Sequence, residues 1–285
     1  MKKLIVTGCN GQLGREINRF YGDNADIVLV NTDVEELDIT NINAVTELVN
    51  KEKPYAIINC AAYTAVDACE TNRDTAFKVN VIGPRNLAIA AQSAGAKIVH
   101  ISTDYVFDGR KETPYFESDN ICPQSVYGET KAEAEKMVTM FSDRFFIFRT
   151  AWLYGDGKNF VKTMLRLSED HDKVRVVGDQ FGTPTSTAEL VKAIDSILFT
   201  DNYGIYHATC EGSCNWAEFA AEIFRLAGKS TVVEPITTAE YGAAANRPAH
   251  SILENRMLKA VGGYTFADWH DAIKVYIDEL SSDKQ

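Results

Sequence analysis

The sequence predicts an α/β protein: a doubly wound parallel sheet in its first half, followed by a smaller α/β portion. Three observations predict it. Short apolar runs bounded by turn residues recur at residues 3–7, 27–30, 55–59, 97–102 and 145–150. Longer segments of helical apolar period separate them, and that alternation is what parallel strands joined by crossover helices produce. The first run ends in three spaced glycines, Gly8, Gly11 and Gly14, which open the first helix. A chain of 285 residues, 45% hydrophobic and 24% charged, is long enough to bury a sizeable core as one large domain or two smaller ones.

The first strand, residues 3–7, is short and apolar and runs directly into the glycines. Gly8 permits a tight turn, Gly11 lets backbone approach a pyrophosphate, and Gly14 lets the helix over residues 15–21 pack against the strand. The positive end of that helix favours a phosphate. A turn that needs its glycines and binds nothing would show the same pattern. Asp33 follows the second strand, about 20 residues after the glycines, where a carboxylate bonds adenosine ribose hydroxyls and disfavours a 2′-phosphate. Asp33 leaves both NADH and NADPH open. Asp38 precedes Thr40, an expected N-cap for the helix running through Val49; Asp38 reads either as a loop carboxylate or as an adenine contact.

The third strand, residues 55–59, ends in Cys60-Ala-Ala-Tyr-Thr64, small residues that suit close approach of a ligand at a carboxyl sheet edge. One helix is expected over residues 73–93, with Asn80 satisfying backbone groups. The fourth strand delivers Ser102, Thr103 and Asp104 to the same edge. After a turn-rich loop comes a helix to about Met140 that begins with Ser-Val-Tyr127-Gly-Glu-Thr-Lys131. A spacing of four puts the phenol and the ammonium on one helix face. A fixed cation beside a phenol is expected to lower its pKa from about 10, so that Tyr127 can handle a proton near neutrality. The fifth strand, residues 145–150, runs out near Trp152.

Beyond Gly155 the alternation loosens. Helices are expected over 160–168, 186–199, 216–227, near Glu254 and over 269–280, strands over 174–177 and 204–208, and turn-rich segments at 180–185 and 246–248. These pieces suit a smaller portion set over the sheet's carboxyl edge. Residues 1–150 are expected to bind the dinucleotide, with later segments, including about 174–200, joining them; residues 151–285 are expected mainly to bind substrate.

A net charge of −11 argues against a nucleic-acid partner, which requires a basic surface. The N-terminal apolar run stops at Thr7, and no span approaches the ~20 apolar residues of a membrane helix, so a cytoplasmic protein is expected. Six cysteines are scattered without a metal-ligand pattern, and reduced thiols used for packing are the expectation.

Taken together, the glycine turn, Asn59-Cys-Ala-Ala-Tyr, Ser102-Thr-Asp and Tyr127-x-x-x-Lys131 resemble the extended short-chain dehydrogenases, whose sheet is of the Rossmann type. The further runs Ala62-Tyr-Thr-Ala-Val-Asp67, Ser102-Thr-Asp-Tyr-Val-Phe107, Phe148-Arg-Thr-Ala-Trp152 and Asp179-Gln-Phe-Gly-Thr-Pro-Thr185 resemble the dTDP-4-dehydrorhamnose reductase family over nearly the whole length. The resemblance implies that a nicotinamide hydride reduces the 4-keto group of a dTDP-sugar. It implies Tyr127 as proton donor, Lys131 as its electrostatic partner and a ribose ligand, and Thr103 as the group that orients the reacting oxygen. It places cofactor contacts at Gly11, Gln12, Leu13, Asp38, Ile39, Ala62, Tyr63 and Thr64, and the turn glycines Gly8 and Gly14, Asp33 after the second strand and Ser102 at the end of the fourth complete the expected cofactor set. Substrate contacts fall at Asp104, at Trp152, which otherwise reads as core, and at Arg247, facing a diphosphate. Some members dimerise through glutamates sharing Mg²⁺, and Glu16, Glu189 and Glu279 resemble those ligands; three solvated glutamates are the alternative, and a homodimer goes with the first. Two other functions fit the same motifs: a nucleotide-sugar epimerase or dehydratase, and a regulatory subunit resembling the methionine adenosyltransferase β subunit. The intact Thr103, Tyr127 and Lys131 set argues against a purely regulatory role.

Overall fold

The computed structural model describes residues 1–282. Strand β1 (Lys2–Thr7) leads through the glycine turn into α1 (Gln12–Tyr21), then β2 (Ile27–Thr32), α2 (Ile42–Glu52) and β3 (Ala56–Asn59). Helix α2 is capped by Asn41, whose side chain accepts from Asn43 N and Ala44 N. Thr40 does not cap it, because Asp38 Oδ1 takes both the Thr40 N–H and its hydroxyl, at 2.9 and 2.8 Å.

A short α3 (Val66–Thr71) precedes the helix expected over 73–93, which runs on without a break as α4 (Arg73–Phe77), a π-helical turn at Lys78–Ile82 and α5 (Gly83–Ala94). The π turn carries Asn80 inward. There Asn80 Oδ1 accepts from Tyr63 N at 2.7 Å, while Nδ2 donates to Tyr63 O and Thr130 Oγ1, both at 3.1 Å. Asn80 thus satisfies backbone groups as its sequence setting implied. Strand β4 (Lys97–Thr103), α6 (Val126–Phe141) and β5 (Phe145–Thr150) follow.

The second half runs β6 (Leu153–Tyr154), α7 (Phe160–Asp170), β7 (Lys173–Val177), β8 (Phe181–Gly182), β9 (Thr185–Ser186), α8 (Thr187–Leu198) and β10 (Gly204–His207). It closes with β11 (Cys214–Asn215), α9 (Trp216–Leu226), β12 (Val232–Ile236), α10 (Thr238–Tyr241), α11 (Arg256–Ala260) and α12 (Trp269–Ser282). Six strands form one sheet in the order β10-β5-β4-β3-β1-β2, every pair parallel. The order reverses between β1 and β3, and the crevice outside the carboxyl ends of those two strands is where such sheets hold ligands. β10 therefore returns to the main sheet, whereas β7 pairs with β12 in a small separate one.

Both sheet faces are covered, so the strands read as unbroken apolar runs rather than alternating ones. Leu4, Val6, Ile58, Val99, Phe146 and Phe148 point into one core with α1, α8, α9 and α12. Ile5, Ile57, Ile98 and Ile147 point into the other, with α2, α5 and α6. All six cysteines are free; Cys69, Cys210 and Cys214 are buried, and Cys122 is exposed rather than packed. Among the described residues no helix is long and apolar enough to cross a membrane.

Candidate active site

The glycine turn is shaped by contact. Gly8 has φ +64°, a left-handed conformation that favours glycine, and a Cβ there would lie 2.8 Å from Ala61 N. A Cβ at Gly14 would lie 2.4 Å from Gly8 O, so α1 can press onto the turn only without a side chain. Outside it lies a cavity of about 250 Å³ lined by Thr7, Gly8, Gly11, Asp33, Asp38, Ile39 and Ala62. Asp33 caps the end of β2, its Oδ2 accepting from Asn10 N at 3.0 Å. Through Gly11, Cys60, Ala61 and Ala62 this space adjoins a larger cavity of about 490 Å³. Gln12, Leu13, Thr64, Ser102, Thr103, Asp104, Tyr127, Lys131 and Trp152 line the second space. A glycine cradle at a helix N-terminus, a carboxylate beyond β2 and an elongated cavity between them are the features that fit a dinucleotide.

Helix α6 brings the phenol and the amine in. Ser125 caps it by accepting from Gly128 N at 3.2 Å, and Glu70 Oε1 accepts from Val126 N at 2.9 Å, so two free N–H groups of the first turn are satisfied. A Cβ at Gly128 would lie 2.3 Å from Tyr105 O; glycine there lets the helix close on the loop after β4. Tyr127 is half-buried, with Tyr105 edge-on at 5.5 Å between ring centres. Thr103 ends β4, its hydroxyl accepting from Tyr105 N at 3.2 Å and donating to Asp104 Oδ1 at 2.9 Å.

The electrostatics correct one expectation. The phenol of Tyr127 is not made more acidic in the cofactor-free chain: burial and then the Asp104 carboxylate raise its pKa, with the Thr103 hydroxyl acting weakly the other way. Lys131, one helical turn on, is 2% exposed and donates to Ile101 O at 2.6 Å. Burial lowers its own pKa to about 8, so it is a weakened cation held by a carbonyl. Asp104 is also buried, and burial raises its pKa to about 6, the hydroxyls of Ser251 and Thr103 partly offsetting it. Its Oδ2 has no hydrogen-bond partner.

Several expected residues stand elsewhere. Ser102 lines the cavity, yet its hydroxyl is donated inward to Glu135 Oε1 at 2.5 Å. Glu135 also receives Arg149 Nε at 2.9 Å and Nη2 at 2.7 Å in a pair only 4% exposed on each side. Tyr63 lines neither cavity and is tied to Asn80 by its backbone. Arg247 does not line the site: it forms a two-pronged pair with Asp67, at 3.0 and 2.9 Å. Trp152 does line it, with φ +48°, a strained value for a bulky residue, and its indole stacks on Trp216 at 3.6 Å and 11°. Trp216, Tyr105 and Asn59 also line the larger cavity. None of the three is among the expected contacts: Asn59 and Tyr105 sit in the quoted runs at the sheet edge, which offer the signal, whereas only folding brings Trp216 to the cavity.

Glu16, Glu189 and Glu279 line one surface pocket together with Arg15, Arg19, Lys162 and Lys192. They do not fit a metal within this chain. Arg19 bonds both Glu16 and Glu279, while Glu189 accepts from Lys192, Tyr264 and Ala267 N. Among the described residues no group of three or more metal-ligating side chains converges.

Residues 1–282 match the family described as the RmlD substrate binding domain. The chain is 42% identical over 287 residues to the dTDP-4-dehydrorhamnose reductase of Aggregatibacter actinomycetemcomitans, covering 96% of this chain and 98% of that one. The crystal structure of a dTDP-4-dehydrorhamnose reductase from Clostridium acetobutylicum superposes with a TM-score of 0.96 at 50% identity, covering 98% and 99%. That of the Bacillus anthracis reductase in complex with NADP superposes with a TM-score of 0.94 at 43% identity, over the same shares.

Proposed function

Because the chain belongs to the RmlD substrate binding domain family, we propose that it is a dTDP-4-dehydrorhamnose reductase. It reduces the 4-keto group of dTDP-4-dehydro-6-deoxy-L-mannose to give dTDP-L-rhamnose, using NADPH or NADH. The observation that carries this reading is the convergence of Thr103, Tyr127 and Lys131 on one cavity at the switch point of the sheet, next to the glycine cradle. The bound nicotinamide supplies the hydride. The protein's own residues hold the sugar, supply the proton and keep water out.

Tyr127 gives its phenolic proton to O4 of the sugar. A raised pKa suits that direction of transfer, since the group arrives protonated at every working pH. Thr103 orients the same oxygen by turning its one hydroxyl hydrogen from Asp104 Oδ1 to O4, while its oxygen still accepts from Tyr105 N. Lys131 stabilises the phenolate once the proton has left. The stacked pair Trp152 and Trp216 offers a flat apolar wall to the deoxysugar. Arg247 meets the diphosphate only by leaving Asp67. The reading includes a cytoplasmic enzyme with its dinucleotide part in residues 1–150 and its substrate part mainly in 151–285. It also includes a homodimer, tested by light scattering.

Absorbance at the reduced-nicotinamide band tests the function. Purified chain with the dTDP-keto-sugar should consume NADPH or NADH stoichiometrically with sugar. No consumption of either cofactor overturns the proposal. Cofactor recycled without net loss favours an epimerase or dehydratase.

A further inference from the structure

His100 lies fully buried on β4 behind the site, between two side chains that decide where its proton sits. The amide of Asn59 is fixed first. Its Oδ1 accepts from the Thr7 hydroxyl at 2.7 Å and from the backbone N–H of Ala61 at 3.2 Å. A backbone N–H can only donate, so turning the amide over would set donor against donor. Asn59 Nδ2 therefore donates to His100 Nδ1, 3.1 Å away. An imidazole that accepts at Nδ1 is neutral and carries its hydrogen on Nε2. Burial, and then Lys131, hold its pKa well below the ordinary histidine value, which agrees. Nε2 stands 3.4 Å from Lys131 Nζ.

We propose that His100 is a positioning residue for Lys131: its Nε2–H points as a donor at Nζ, which favours the neutral amine over the ammonium in the cofactor-free chain and so lowers the pH at which Lys131 gives up its charge. Donor directions then run one way, from Thr7 through Asn59 and His100 to Nζ, and from Nζ to Ile101 O. Only a nitrogen with a free lone pair closes that series. An ammonium has none and sets a hydrogen against Nε2–H. Other groups face Nζ too. Glu135 on α6 and the Cys60 thiol beyond β3 both favour the ammonium, and burial outweighs them; Tyr127 lines the same cavity one helical turn earlier. The consequence for turnover rests on the reductase reading. There a cofactor with hydroxyl acceptors supplies what the ammonium lacks, and binding raises the charged fraction of Lys131.

Long-range nitrogen–proton NMR of cofactor-free chain, labelled with ¹⁵N-histidine and assigned through the backbone, reads the tautomer directly. His100 should show the neutral Nε2–H signature at every pH from about 6 to 9. An Nδ1–H tautomer or an imidazolium there overturns the proposal without need of a variant. The second readout is the titration of Lys131 followed at its ¹³Cε. His100→Asn keeps an acceptor for Asn59 and removes the Nε2–H, so the Lys131 midpoint should rise by about one pH unit. His100→Gln, which restores an N–H near the Nε2 position, should return it towards the wild-type value. An unmoved midpoint in His100→Asn, or a shift as large in His100→Gln, overturns the proposal. Neither readout involves a reduced cofactor or a sugar, so a failed reductase assay and a failed tautomer assignment are separate results.

Discussion

Asp104→Asn converts the buried carboxyl beside Thr103 into a neutral isostere, and the structure gives the size of the effect. A carboxyl raised from the ordinary aspartate value near ~4 to about 6 holds its proton more tightly folded than unfolded. Its stabilising contribution is therefore complete below about pH 4 and is lost as pH rises through about 6. Two pH units of displacement correspond to about 3 kcal/mol. At 2% exposure, solvent screening takes little from that figure. The asparagine introduces costs of its own. Oδ1 still accepts from Thr103, but an amide N–H would stand where Oδ2 has no partner, costing about 1–3 kcal/mol. That cost is the same at every pH, so the pH dependence isolates the carboxyl. Urea unfolding of both proteins at about pH 4 and about pH 7.5 measures it. Relative to wild type, the variant should gain about 3 kcal/mol on going from the lower to the higher pH. A stability difference that does not change with pH refutes the reasoning.

Glu135→Leu should destabilise by about 3–5 kcal/mol, because it leaves the Arg149 guanidinium buried without its carboxylate. Glu135→Leu with Arg149→Met should recover much of that loss; a double variant no more stable in urea than the single one contradicts the account. Tyr127→Phe should lower kcat by about 10²- to 10⁴-fold while leaving nicotinamide binding, read by fluorescence titration, unchanged; undiminished turnover removes Tyr127 from the proton-donor role.

Much of the first half is legible before folding because its signals are local. An apolar run such as Leu4-Ile-Val6, bounded by turn residues, suits a strand covered on both faces, and the three spaced glycines directly after it mark the turn into the first helix. Tyr127 and Lys131 share a helix face by spacing alone. What the sequence withholds depends on distant partners. Thr40 looks like a cap until Asp38 takes its hydroxyl. Arg247 looks free to meet phosphate until Asp67 lies against it, 180 residues away. The net shift of the Tyr127 phenol runs opposite to the sequence expectation, because helix spacing reports the neighbouring cation but not the burial and the Asp104 carboxylate that raise it. Trp216 gives no sign that it will stack on Trp152, since the contact depends on a left-handed backbone at Trp152 and on a glycine at position 182 that leaves room for the indole.

Strand β10 has a consequence for how the molecule comes into being. Gly204–His207 covers the outer edge of β5, a strand completed more than fifty residues earlier in the chain. During synthesis β5 therefore emerges with its row of N–H and C=O groups unpaired, and stays so until β10 leaves the ribosome. A fragment cut near residue 150 would keep that edge open permanently. An exposed edge bearing Phe146 and Phe148 is a template for pairing with another chain. The later part of the chain thus supplies the strand that keeps the earlier part from self-association.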